Sequence, residues 1–282
     1  MRLGNRLLSA LAGGLVPVGL LGLGLDPALP ARAATGPSGA TLSISPAINI
    51  STAGRAGELP SITVANATKV RFQIRIYPAL VDQLYDGGLA IRERPGELKA
   101  ARRRFRLNPP ALLLGPGERA TVQARVLKPV PRGEAVGAAV IEAIPATPAG
   151  RLPPYRLRLL GALLVPGTAA PAARGRISSL RIAQVSPRRL RFLIRVSNYG
   201  AVHGFPSALR LRVRDHKGRI VFSAAPQTGL VLPGYARDVR IDTLKRLAPG
   251  RYRAEASGLF ETIRSRRVAR FIVDGKQRVA SR

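Results

Sequence analysis

Beyond residue 40, apolar side chains fall at every second position through much of the chain. Val70, Phe72, Ile74 and Ile76 alternate with Arg71, Gln73 and Arg75. Leu190, Phe192, Ile194 and Val196 form another such row, and Leu209, Leu211 and Val213 interleave with Arg210, Arg212 and Arg214. A period of two with one apolar face is the pattern of a half-buried strand. It predicts strands over 41–50, 61–66, 69–77, 103–107, 118–126, 136–143 and 155–165. A second series follows over 177–185, 189–198, 208–214, 220–224, 236–242, 250–259 and 267–273. Long helical periodicity is not evident. Turn chemistry separates the strands, as at Leu114-Gly115-Pro116-Gly117-Glu118 and Pro131-Arg132-Gly133.

The two series are divided by residues 166–176, an aperiodic Ala/Pro/Gly stretch that reads as a linker. Seven short strands with regular turn signals in about 100 residues are the pattern of an immunoglobulin-like sandwich. The predicted architecture is therefore all-β, with two tandem immunoglobulin-like β-sandwiches at 40–165 and 177–274. A polar, basic tail at 275–282 is expected to fray.

Residues 1–33 break the pattern and read as a signal peptide. Arg2 and Arg6 precede an apolar run from Leu7 to Leu25 that is interrupted by Gly13, Gly14 and Pro17. Ala31-Arg32-Ala33 then forms a small-residue cleavage site. The chain is expected to be exported to the periplasm, cell surface or exterior, and to contact membrane only through this segment if it stays uncleaved.

Composition narrows the chemistry. The 282 residues hold 46 Lys plus Arg against 15 Asp plus Glu, a formal charge of +31. There is no cysteine, which removes disulfides and thiol chemistry, and the two histidines leave little for metal binding. No Gly-x-Ser-x-Gly or phosphate-loop pattern is present. No catalytic, cofactor or metal residue is assigned, and an enzyme is not expected. Asp215-His216-Lys217-Gly218 reads as a turn, and His203 as a loop residue without carboxylate neighbours in sequence.

The arginines are the stronger candidates. Arg210, Arg212 and Arg214 project from one strand face at about 6.6 Å intervals. Arg188, Arg189, Arg191 and Arg195 are expected on the same or a neighbouring surface. Further charge comes from Arg102, Arg103, Arg104 and Arg106 and from Arg264, Arg266, Arg267 and Arg270. Guanidinium forks at such spacing suit phosphate or carboxylate polymers. Nucleic acid is not an expected partner, because only 5% of residues are aromatic and none interleave with the basic runs. The expected role is a non-enzymatic envelope-binding or adhesion protein that holds anionic wall or membrane polymers by its basic faces.

A resemblance adds a second reading. Leu42-Ser43-Ile44-Ser45-Pro46, Ile62-Thr63-Val64-Ala65-Asn66-Ala67, Phe105-Arg106-Leu107-Asn108-Pro109-Pro110 and the Leu114-to-Glu118 turn resemble the N-terminal domain of PapD-type pilus chaperones. The second domain, through Val196-Ser197-Asn198-Tyr199-Gly200 and Leu247-Ala248-Pro249-Gly250-Arg251-Tyr252, resembles that of WxL-interacting surface proteins. The first resemblance implies a periplasmic chaperone or assembly factor that adds a strand of a surface or pilus protein to its own sheet edge. Val122, Ala124 and Val126 are the candidate edge. The two cations with which such chaperones hold a subunit carboxylate align with Ile48 and Gly161, so that capture site is not carried over.

Overall fold

The alternating rows fold as strands because one face of each finds an apolar partner sheet. The computed structural model describes residues 34–35, 41–51, 55–146, 155–169, 173–186, 189–275 and 278–281. The signal-peptide reading of 1–33 falls outside them, as does Arg188.

The first half contains β1 (Ala34–Thr35), β2 (Thr41–Ser45), β3 (Ile48–Ile50), β4 (Gly57–Asn66), β5 (Phe72–Gln83), β6 (Leu89–Arg92), α1 (Pro95–Arg104), β7 (Phe105–Asn108), β8 (Ala111–Leu114), β9 (Arg119–Val126), β10 (Glu134–Pro145) and β11 (Leu157–Pro166). One sheet runs β1-β2-β4-β9-β7. The other runs β3-β11-β10-β5-β6, with β8 also on β5. Leu42, Ile62, Phe72, Phe105, Val122 and Ile141 fill the space between the two sheets.

The second half contains β12 (Gly175–Ser186), β13 (Arg189–Asn198), β14 (Pro206–Asp215), β15 (Ile220–Ala224), β16 (Ala236–Thr243), β17 (Gly250–Phe260), β18 (Ile263–Val273) and β19 (Val279–Ser281). A three-stranded sheet, β12-β13-β16, faces a five-stranded one, β15-β14-β17-β18-β19, over Phe192, Leu211, Phe260 and Phe271. Tyr252 sends its hydroxyl to the Ala248 carbonyl at 2.6 Å, the side-chain tie of a tyrosine corner. The fold is all-β, two immunoglobulin-like sandwiches in tandem.

Several expectations change. The strand predicted over 41–50 is two strands, because at Pro46 the chain leaves one sheet and β3 joins the other, parallel to β11. The arginine cluster 102–104 is helical; α1 buries only Ala101, so it has no apolar stripe to reveal it. Its arginines lie in the last turn, where the helix dipole favours cations. The tail is not free, since β19 pairs with β18. The linker is tethered: Gly167 and Thr168 donate to Gly133 and Val130 at 2.6 and 3.0 Å.

The candidate edge at Val122, Ala124 and Val126 is also corrected. β9 lies between β4 and β7, and these three side chains are 0–1% exposed in the core. The alternation that marked a binding row was the row facing the partner sheet.

Candidate functional site

A third apolar cluster joins the sandwiches: Val81, Ala138, Ala162 and Leu164 of the first against Leu230 and Leu232 of the second. Gln83 ties the two with both ends of its amide. It donates to the Leu230 carbonyl at 2.8 Å and accepts from the Leu232 amide at 2.9 Å. Tyr235 donates to Asp82 at 2.5 Å, and Arg92 reaches both. Hydrogen bonds from Arg92 and Tyr235 hold the Asp82 carboxyl below its ordinary range. His203 contacts Glu134 through its ring and its amide, and the Glu134 side chain is wholly buried. His203 thus has a carboxylate neighbour that its sequence context does not show.

Beside this junction lies a cleft of about 590 Å³, lined by residues that include Ile48, Leu89, Leu160, Leu230, Arg158 and Arg237. One wall is the outer edge of β11. β10 pairs with β11 along its whole length, but β3 covers the other side only at Ala162–Leu164. Among the described residues no strand lies beside residues 157–160. The Ala162 amide points outward, to the Ala47 carbonyl at 2.8 Å. Ladder polarity alternates along a strand, so the Leu160 and Arg158 backbones also direct their donors and acceptors outward.

The charged groups in and around the cleft are unequal. Arg158 bonds Glu142 at 2.8 Å and Glu93 at 2.5 Å, and Arg156 also reaches Glu142. Burial raises the Glu142 carboxyl, but these two arginines overcome it and leave the group below its ordinary range. Among the described residues Arg237 has no such partner, and burial lowers its guanidinium below the ordinary value. Sequence reading passed over Arg237, which lies about 70 residues beyond the end of β11 with no motif around it.

The two arginine sets lie on opposite outer faces of the second sandwich. Arg189, Arg191 and Arg195 are on β13 and are paired: Arg189 and Arg191 with Asp242 at 2.5 and 2.7 Å, Arg195 with Asp238 at 2.7 Å. Arg195 also covers the Tyr85 ring at 4.0 Å, which makes it part of the junction. Arg210, Arg212 and Arg214 are on β14, and their row continues onto β17 and β18. Arg214 lies opposite Arg253, which lies opposite Arg270. Arg210 lies across Ser257 from Arg266. Arg251 and Arg264 extend this face, on which Glu255 is the one carboxylate among the described residues of β14, β17 and β18 that points outward. The Asp215-to-Gly218 stretch is the predicted turn, its amides at Lys217 and Arg219 held by the Asp215 carboxylate at 2.9 Å.

No family model and no curated protein matches the chain. Among solved structures it is similar to the chaperone–tip adhesin subunit complex of the archaic Csu pili of Acinetobacter baumannii, at 14% identity and TM-score 0.43, over 80% of this chain and 98% of that one. It is similar to the Pseudomonas aeruginosa CupB2 chaperone at 12% identity and TM-score 0.40, over 83% and 94%. Similarity to the Escherichia coli chaperone DraB is 11% at TM-score 0.38, over 85% and 94%.

Proposed function

We propose that the chain is a non-enzymatic assembly factor or chaperone of the exported compartment, which holds an extended segment of a surface protein by strand addition. The observation that carries this reading is the unpaired backbone at residues 157–160 opening onto the cleft. Main-chain bonding at a free sheet edge supplies affinity for any extended segment, and alternate side chains entering a groove supply selectivity. The addition edge is thus β11 in place of β9.

Leu160→Pro tests it. The substitution removes one outward N–H while leaving the inner ladder with β10 intact, and an edge strand tolerates proline there. A photo-crosslinker at Arg158 in the full chain, exposed to its own envelope extract, is expected to label one extended protein segment, and Leu160→Pro is expected to abolish the labelling. Labelling that survives Leu160→Pro at undiminished yield overturns strand addition at β11.

The arginine face supports a second reading, an envelope-binding module for anionic wall or membrane polymers as the composition suggested. Arg214, Arg253 and Arg270 stand opposite one another across β14, β17 and β18, an arrangement that costs stability. Glu255, ion-paired with Arg266 at 2.5 Å and Arg253 at 3.9 Å, is the one outward carboxylate among the described residues of these strands. The β13 face, equally rich in arginine, has an aspartate opposite two of its three. The wall-protein resemblance of the second domain belongs to this reading.

A further inference from the structure

β16 carries Arg237 in phase with Val239 and Ile241, which point into the core. Its side chain therefore runs beneath the sheet and into the cleft instead of out to water. The guanidinium occupies a slot between Gly87 and Gly229, and a β-carbon at either glycine would collide with it. Gly87 has φ +89°, a conformation that itself favours glycine. The slot is thus defined from both sandwiches at once.

What the guanidinium lacks, among the described residues, is a bonded anion. Among the described residues no carboxylate is hydrogen-bonded or ion-paired to Arg237, and Asp86 acts on it only at a distance. Asp86, which also lines the cleft, accepts from the Gly88 amide at 2.8 Å. Other acids of the two sandwiches are engaged elsewhere: Asp82 with Arg92 and Tyr235, Asp238 with Arg195, and Glu142 with Arg156 and Arg158. A half-desolvated charge without a bonded counter-ion is unfavourable, and arginine's fork is suited to a carboxylate.

We infer that Arg237 is the acid-recognition point of the cleft, taking the carboxylate of an Asp or Glu side chain in the extended segment laid along residues 157–160. This rests on the strand-addition reading and adds a requirement on the segment's sequence. The apolar walls at Ile48, Leu89, Leu160 and Leu230 receive the residues flanking the acid.

The test uses the full chain and two blocked peptides, acetylated and amidated so that no terminal charge remains. Each is an alternating Thr/Val heptamer with Glu or Gln at its centre. Calorimetric titration is expected to give the Glu peptide an affinity about tenfold above the Gln peptide, the order expected of one charge-assisted bond. Arg237→Gln is expected to erase that preference while leaving Gln-peptide affinity unchanged. It is also expected to raise the unliganded melting temperature, because it removes a half-buried charge with no bonded counter-ion among the described residues, where loss of a purely structural arginine would lower it. Arg237→Lys keeps the charge without the fork and is expected to fall between. Equal affinity for the two peptides, or a preference that survives Arg237→Gln, overturns the inference. If both bind equally and Leu160→Pro abolishes both, the inference alone fails. If neither peptide binds the parent chain, strand addition fails with it.

Discussion

Asn66 and Asn198 end equivalent strands in the two sandwiches and do the same work. Asn66 donates to the carbonyls of Val70, Leu114 and Gly115, and its own oxygen accepts from Thr68. Asn198 donates to the carbonyls of Val202 and Val231 and accepts from the Gly200 amide. Each pins a distant Pro-Gly turn to a strand end, where a buried amide must satisfy all its groups. The motifs that carried the resemblance are therefore fold-building features. Asp242 shows a different residue-level effect. The hydrogen bond from Arg191, then that from Arg189, takes its carboxyl down to about 2. An unfolded aspartate titrates near about 3.9. The folded form therefore binds its proton less readily, so the stabilisation is complete above about pH 4 and lost as pH falls toward 2. Asp242→Asn is expected to lower unfolding free energy at pH 6 and to converge with the parent near pH 2, as measured by urea titrations across that range. Parallel curves would contradict this.

At the element scale, the two outer faces of the second sandwich separate what arginine counting merges. On β13 the arginines are cross-strand partners of β16 aspartates and hold the sheet together. On β14, Arg210 faces Ser257, Arg212 faces Glu255 and Arg214 faces Arg253, and among the described residues none of the three is ion-paired. The sequence made both rows visible as alternation, but cross-strand neighbours follow from register, which alternation does not specify. Likewise, alternation marked Val122, Ala124 and Val126 as a row without telling a core-facing row from an edge. The edge at β11 was hidden because residues 159–165, broken only by Gly161, read as one apolar run that leads into the junction. The triple variant Arg210→Gln, Arg212→Gln, Arg214→Gln is expected to weaken sedimentation with vesicles rich in anionic phospholipid by about 100-fold at low salt, at about 1 kcal/mol per arginine near an anionic surface. Neutralising Arg189, Arg191 and Arg195 is expected to cost stability more than binding. Parent binding is expected to fall steeply as salt shortens the Debye length below about 8 Å. Salt-insensitive binding, or equal loss from both triples, would contradict the division of roles.

At the scale of the whole molecule, the junction decides whether a cleft exists. Gln83 satisfies two backbone groups of the second sandwich that its apolar surroundings would otherwise leave unpaired. Gln83→Ala is expected to cost about 2–4 kcal/mol and to split one calorimetric unfolding transition into two. A single transition at unchanged temperature would show that other contacts hold the sandwiches together. The sequence by itself determined the all-β class, the tandem arrangement, most strands and the basic character, because these depend on local period and composition. It also determined the turn at Asp215, whose geometry is built within five residues. Only the tertiary structure decided which arginines are neutralised, which strand edge is open and that Arg237 enters a cleft made by both sandwiches. Those properties depend on register and on the docking of residues far apart in the chain, where one residue's partner is set by the whole fold.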